Sequence, residues 1–373
     1  MARLVALDLP WDDDFPAALA EVWERGDAAC VLDRRVAEDA RGGELATLSP
    51  TIRRGLSGEQ VIDPEAEVPD GTALVVASSG SSADPKAAVL SMAAVEASAR
   101  LTSARLGVDP SRHRWLACTP LSHIGGLAVV ARCLITSTAV TVSAGPGRRP
   151  LGELLGGVSH VAVVSAMLAE ADLSGLKAVL VGGAAPPASL PANAVATYGM
   201  TETGSGVVYD GIPLDGVELA VGEGGEILLR SPTLATAYRD RPLPLVGLTG
   251  GEPWFATGDV GSIGVDGRIE VLGRSGEVIS TGGEQVWPAD VERLLAEHAA
   301  VAEVAIVGRA DERFGAIVVA HVVASDPSAP PSIGELAEVV SAAGLPWAAP
   351  RVLELHAALP RLGSGKVNRR ALA

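Results

Sequence analysis

Ser78-Ser79-Gly80-Ser81-Ser82-Ala83-Asp84-Pro85-Lys86 follows an apolar run, residues 72–77, that reads as a buried strand. The stretch holds four serines, one glycine and a terminal lysine. It offers backbone N–H groups, rotatable hydroxyl donors and one positive charge in a small volume, which is what a polyphosphate needs. The phosphate loop of nucleotide hydrolases is a different device, with Gly before the lysine and Ser or Thr after it. Here Pro85 precedes Lys86 and Ala87 follows, and Pro85 denies the loop a smooth run into a helix. Taken alone, the segment equally suits a polar surface loop between two strands.

Downstream of this loop the chain alternates strand, loop and helix. Strand-length apolar runs occur at 115–119, 138–143, 160–164 and 177–181, with helical patterns at 92–106 and 125–136. This alternation predicts α/β layers with a largely parallel sheet, whose ligands lie beyond the carboxyl ends of the strands. Three polar or glycine-rich loops fall at such ends: Ser78–Lys86, Pro120–Gly126 and Gly182–Pro187. Upstream, residues 1–70 read as a helical entry. Phe15, Leu19, Val22 and Trp23 predict a helix ending near Gly26, Ala29–Leu32 a short strand, and 42–70 a surface wrap.

From 214 to 272 short alternating runs and Gly-rich turns predict a β subdomain, with a hairpin at Asp266-Gly267. Beyond Gly276 come a helix from Pro288, strands at 301–307 and 317–323, and a helix at 333–340. The expected fold class is α/β: a large N-terminal domain of layered α/β sheets with a β subdomain (1–275), plus a small α+β C-terminal domain (276–373) on a hinge. The core must be built from Ala, Val, Leu and Ile, since aromatics make up only 3%. A formal net charge of −16 argues against a nucleic-acid or anionic-membrane surface, so an anionic ligand needs local cations. Cys30, Cys118 and Cys133 read as buried free thiols. The N-terminus does not resemble a signal peptide, and no run of about eighteen apolar residues suits a membrane span, so a cytoplasmic protein is expected.

Three further stretches carry chemistry. In Tyr198-Gly199-Met200-Thr201-Glu202-Thr203, Glu202 suits a hard cation such as Mg²⁺, Thr201 a phosphate, and Tyr198 the face of a base; a turn with a solvated glutamate is the alternative. Asp259, after Thr257-Gly258, can accept both hydroxyls of a ribose, and Arg274 lies one hairpin later; an ion pair bracing the hairpin is the alternative. Gly363-Ser364-Gly365-Lys366 holds a lysine mobile enough to enter a cleft, or simply a solvated near-terminal one.

In this order and spacing, Ser78–Lys86, Tyr198–Thr203, Thr257–Asp259, Gly273-Arg274 with Gly282-Gly283, and Gly363–Lys366 resemble the adenylate-forming superfamily of acyl-CoA synthetases, adenylation domains and luciferases. The likeness runs from about residue 72 to the end. The short N-terminal region and Pro120-Leu121-Ser122-His123-Ile124-Gly125-Gly126-Leu127 most resemble its acid–CoA ligases for an aromatic dicarboxylate. The resemblance implies ATP, Mg²⁺ and coenzyme A as the partners of a small carboxylic acid. It implies that Ser78, Ser79, Gly80, Ser81, Ser82 and Lys86 wrap the β- and γ-phosphates, and that Gly182, Gly183, Ala184, Tyr198, Gly199 and Met200 form the adenine side. Thr201 then touches the α-phosphate, Glu202 holds Mg²⁺, and Asp259 and Arg274 bind the ribose. Lys366 bridges the attacking carboxylate and the α-phosphate. The C-terminal domain turns about Gly276, so that Gly282-Gly283 lines the thiol entry. His123 falls next to the acyl pocket, as a contact to the acid or as a structural histidine at a helix start. A homodimer is expected only because homodimers are common, since no interface is legible in the sequence.

The chain departs from the family pattern at Ala83 and Ala87, where glycine is usual, and at Gly276, where Asp or Lys is usual. Two alternatives follow: an adenylate-forming ligase for another acid or acceptor, and a non-catalytic nucleotide- or acyl-binding paralogue supported by the two alanines alone.

Overall fold

The protein is described by a computed structural model over residues 1–38, 41–78, 86–145, 147–184, 186–187, 189–247, 251–361 and 367–373. The described chain forms two compact units: Met1–Leu219 with Leu229–Phe255, and Ala220–Leu228 with Ala256–Ala373.

The first unit is built on two seven-stranded mixed sheets. The first runs in the order Ala237–Tyr238, Lys86–Ser91, Thr72–Ser78, Ala28–Val31, Leu4–Asp8, Ile52–Gly55, Gly58–Val61. The second runs Ile212–Pro213, Ser205–Tyr209, Ala194–Met200, Ala178–Gly182, His160–Val164, Arg114–Ala117, Ala139–Val142. Five consecutive strands of the second sheet, from Ala194–Met200 to the edge strand Ala139–Val142, are parallel, so their carboxyl ends share one edge. Helix Met92–Arg105 begins where the Ser91 hydroxyl accepts from the Ala94 N–H at 3.1 Å. It packs on helix Ile124–Thr136 and touches strands of both sheets. Two buried polar pairs fix its face to the second sheet: Ser98–Ser205 (Oγ–Oγ 2.7 Å) and Thr102–Tyr209 (Oγ1–OH 3.0 Å). Aliphatic and alanine side chains fill the interior, as the composition requires, and all three cysteines are buried.

Residues 1–70 correct the sequence reading. The helix Phe15–Glu24 and the strand Ala28–Val31 form as expected. But Leu4–Asp8 is a buried strand lying between Ala28–Val31 and Ile52–Gly55, parallel to both. The supposed wrap supplies a helix, Gly42–Leu48, and two more strands of the same sheet. A four-residue apolar run between Arg3 and Asp8 is too short for periodicity to declare it. Arg239 ties this region in place: its guanidinium donates to the carbonyls of Leu48 (3.2 Å), Ser49 (2.9 Å) and Glu67 (2.9 Å).

In the second unit, strand Trp254–Ile263 pairs antiparallel with Ile269–Arg274 around Asp266-Gly267, where Gly267 has φ +78°. Val301–Asp311 and Gly315–Ala324 form a long hairpin; Ile279–Thr281 and Val352–Leu355 flank it. Helices Pro288–Leu295 and Ile333–Ala342 cover one face through Val291, Leu295, Leu336 and Val340. The opposite face packs Ala305, Val307 and Val319 against Leu359 and Leu372. Arg369 pins the C-terminal turn: its Nη2 donates to Glu292 Oε2 at 2.9 Å.

Candidate active site

Ser78 ends one strand and Lys86 begins the next, the two being direct antiparallel partners; Ser79, Gly80, Ser81 and Ser82, with Ala83 to Pro85, lie outside the described residues. Thr72–Ser78 and Lys86–Ser91 are thus antiparallel neighbours, with Ser78 at the carboxyl end of the first strand. Ala87 is 1% exposed inside the Lys86–Ser91 strand, opposite Ala77, and has no positive φ. An alanine fits there without backbone strain.

Tyr198, Gly199 and Met200 close the strand Ala194–Met200, and Thr201–Thr203 form one 3₁₀ turn. The Thr203 hydroxyl accepts from the Met200 N–H at 2.9 Å and donates to the Ser205 carbonyl at 2.7 Å, which locks the turn. Gly199 is demanded by close approach: a Cβ there would lie 2.2 Å from Ser205 O and 2.6 Å from Gly206 Cα.

Glu202 is 9% exposed, not solvated, and its Oε1 accepts from the Tyr238 hydroxyl at 2.7 Å. Its second oxygen has no hydrogen-bond partner among the described residues. Lys86 Nζ sits 5.2 Å from the centre of the same Tyr238 ring. One phenol thus joins the cation at the end of the serine loop to the buried carboxylate. The sequence reading missed Tyr238, because a two-residue edge strand, Ala237–Tyr238 against Lys86–Ser91, has no periodicity to betray it.

Gly182 ends the strand Ala178–Gly182, with Gly183 (φ +85°) and Ala184 just beyond it at the shared carboxyl edge. At the edge's other side His123 stands immediately before helix Ile124–Thr136. Its Nε2 lies 3.0 Å from Arg35 Nη2, and Arg35 is held by Asp33 through Nε–Oδ1 (2.9 Å) and Nη2–Oδ2 (2.5 Å). Arg35 has only donors, so Nε2 of His123 takes the acceptor role in this contact. Burial pushes the Asp33 carboxyl up, but the hydrogen bonds and charge of Arg35 outweigh it and hold it below its usual range.

Arg132, on the helix that His123 opens, is 3% exposed. Its Nε and Nη1 have no partner among the described residues, and its guanidinium lies 4.7 Å from the centre of the Trp115 ring. Desolvation lowers its pKa. A lone charge in Ile-Gly-Gly-Leu-Ala-Val-Val-Ala-Arg-Cys-Leu-Ile was the signal that the sequence reading passed over.

In the second unit, Asp259 is 6% exposed and is the direct strand partner of Arg274. Arg274 Nε lies 2.8 Å from Asp259 Oδ1, and its Nη1 donates to the Thr257 carbonyl at 3.0 Å. The bracing ion pair is thus present, and it also holds an acceptor and a donor side by side. Gly282 (φ +60°) and Gly283 (φ +92°) form the tight turn between Ile279–Thr281 and Glu284–Val286, a conformation suited to glycine. Gly276 has open space where a Cβ would be. Lys366 lies outside the described residues.

Residues 12–239 match the family model "AMP-binding enzyme", and residues 290–366 match "AMP-binding enzyme C-terminal domain". The chain is 41% identical to a probable 2-succinylbenzoate–CoA ligase of Mycobacterium tuberculosis, over 89% of this chain and 95% of that protein. It is 26% identical to a 2-succinylbenzoate–CoA ligase of Listeria monocytogenes, over 87% and 76% of the two chains. Its fold is similar to that of o-succinylbenzoate coenzyme A synthetase from Bacillus subtilis in complex with an acyl-adenylate intermediate, with TM-score 0.85, 25% identity, and 99% and 88% of the chains covered. The chain belongs to the AMP-binding enzyme family, whose adenylate-forming members couple ATP to a carboxylic acid.

Proposed function

We propose that this protein is an ATP- and Mg²⁺-dependent acid–CoA ligase that converts o-succinylbenzoate to its CoA thioester through an acyl-adenylate, in menaquinone biosynthesis. The observation that carries the reading is the cluster of Lys86, Tyr238 and buried Glu202 at the carboxyl ends of the strands. It sets one cation and one hard-oxygen ligand together, at the place where α/β sheets bind ligands. The curated relatives supply the acid.

A carboxylate oxygen attacks the α-phosphorus of ATP and pyrophosphate leaves; the CoA sulfur then attacks the acyl carbon and AMP leaves. The free oxygen of Glu202 fits Mg²⁺, which when bound offsets charge on the triphosphate. Lys86 and the serine loop hold the β- and γ-phosphates, and Thr201 donates to the α-phosphate. Tyr198, Gly199 and Met200, with Gly182 to Ala184, frame the adenine. Asp259 accepts from the ribose hydroxyls while Arg274 donates to the same sugar. Lys366 approaches the acid and the α-phosphate together, and supplies positive charge where two anions meet. Residues 276–373 then turn about Gly276 and bring Gly282-Gly283 to the thiol. His123, fixed by Arg35, contacts the acid. The enzyme works in the cytoplasm, where ATP and CoA are at hand, as a homodimer.

Pyrophosphate release tests the reading, with o-succinylbenzoate against a panel of aryl and acyl acids, with and without CoA. Release with o-succinylbenzoate, a CoA thioester product, and loss of release in Lys366→Ala are expected. Release only with another acid would overturn the substrate, and release with no acid would overturn the chemistry.

A further inference from the structure

The second unit carries a group of metal-binding side chains that the adenylation chemistry does not use. His321 lies in the middle of Gly315–Ala324, Glu354 is its direct partner on the parallel strand Val352–Leu355, and His356 follows that strand. His321 is 1% exposed, while Glu354 and His356 are half-buried. His321 Nδ1 lies 2.9 Å from His356 Nε2 and 3.5 Å from Glu354 Oε2. One ligand atom from each residue lies within 4.8 Å of the others. Ligands held at about 2.0–2.1 Å by a tetrahedral metal lie about 3.3 Å apart, so the two nitrogens and the carboxylate oxygen are spaced for one ion.

The backbone builds this convergence. Parallel register puts His321 and Glu354 side by side on one sheet face, and the His356 N–H donates to the Val322 carbonyl at 2.9 Å, which returns the second imidazole to the same place. Arg309 occupies the other carboxylate oxygen, with Nη2 2.5 Å from Oε1, so Oε2 is the one turned to the imidazoles.

We infer that His321, Glu354 and His356 form a site for a divalent transition metal of the Zn²⁺ type, with two imidazoles and one carboxylate as ligands. The fourth position falls on the side where Glu354 and His356 reach solvent, and takes a water. Two nitrogen donors set this site apart from an all-oxygen Mg²⁺ site. The ion would fasten the residue after Val352–Leu355 to the sheet just before the chain runs on to residues 362–366.

Calorimetric titration of the chelator-treated full chain with Zn²⁺, and separately with Mg²⁺, tests this. His356→Gln is the variant of choice, since it alters the partly exposed ligand and leaves the buried His321 in place; its circular dichroism and melting temperature report that it folds. The expected result is one Zn²⁺ per chain that Mg²⁺ does not displace, with affinity at least tenfold weaker in His356→Gln and again in Glu354→Gln. Co²⁺ bound to the native chain should show the intense visible bands of four-coordination, absent from both variants. No Zn²⁺ binding by the native chain, or equal binding by folded variants, would overturn the site.

Discussion

Tyr238 is the residue on which the first unit's charged cluster turns. Its hydroxyl satisfies one oxygen of a carboxylate that is 9% exposed. A hydrogen bond to a charged group contributes about 1.5–3 kcal/mol, and leaving its partner buried and unsatisfied costs more than replacing both. Tyr238→Phe should therefore weaken Mg²⁺-dependent turnover by about tenfold or more, and raise the Mg²⁺ concentration needed for half-maximal pyrophosphate release. Unchanged Mg²⁺ dependence in a folded Tyr238→Phe enzyme would remove Tyr238 from the site. Glu202 itself was legible in the sequence, because a Thr-Glu-Thr turn after an apolar run states its chemistry in the residue types. Its burial was not, because the side chain that buries it comes from a strand thirty-six positions away.

At the scale of the element, the second sheet brings candidate residues together by ending its parallel strands on one edge, and the sequence announced those strands almost residue for residue. Runs of Val, Leu and Ala at 160–164 and 177–181 became His160–Val164 and Ala178–Gly182. The first sheet was half hidden, since Leu4–Asp8 and Gly58–Val61 gain their strand character from neighbours rather than from alternation. The strand His160–Val164 also carries a titration. His160 is fully buried, its Nδ1 lies 2.8 Å from Ser159 Oγ, and its Nε2 has no partner among the described residues. Desolvation, and then the charges of His113, Lys177 and Arg132, lower its pKa to about 4. The unfolded chain takes up the proton first, near the ordinary 6.5. The stability tied to a neutral His160 is thus present above pH 6.5 and is lost as the pH falls through about 4. Melting temperature against pH should fall across that window, and His160→Gln should flatten part of the fall; equal slopes for the two proteins would show that His160 does not contribute.

For the whole molecule, the formal charge of −16 opposes a reaction whose substrates are all anions. Local cations such as Lys86 act against that field, and salt screens the long-range repulsion before it screens the short contacts. With Mg²⁺ held constant, kcat/KM for the acid should rise as ionic strength rises from low values; a monotonic fall would mean that local positive charge governs the approach. Composition stated the sign of this field, and ordered motifs stated the family. What neither could state was how distant segments close on each other. The Arg239 guanidinium, fastened to carbonyls of residues 48, 49 and 67, is such a closure. During synthesis those carbonyls leave the ribosome long before Arg239 does. The first sheet is then an unfinished edge for most of translation, and the emergence of one arginine marks the moment when the nascent chain acquires resistance to proteases and to its own neighbours on the polysome.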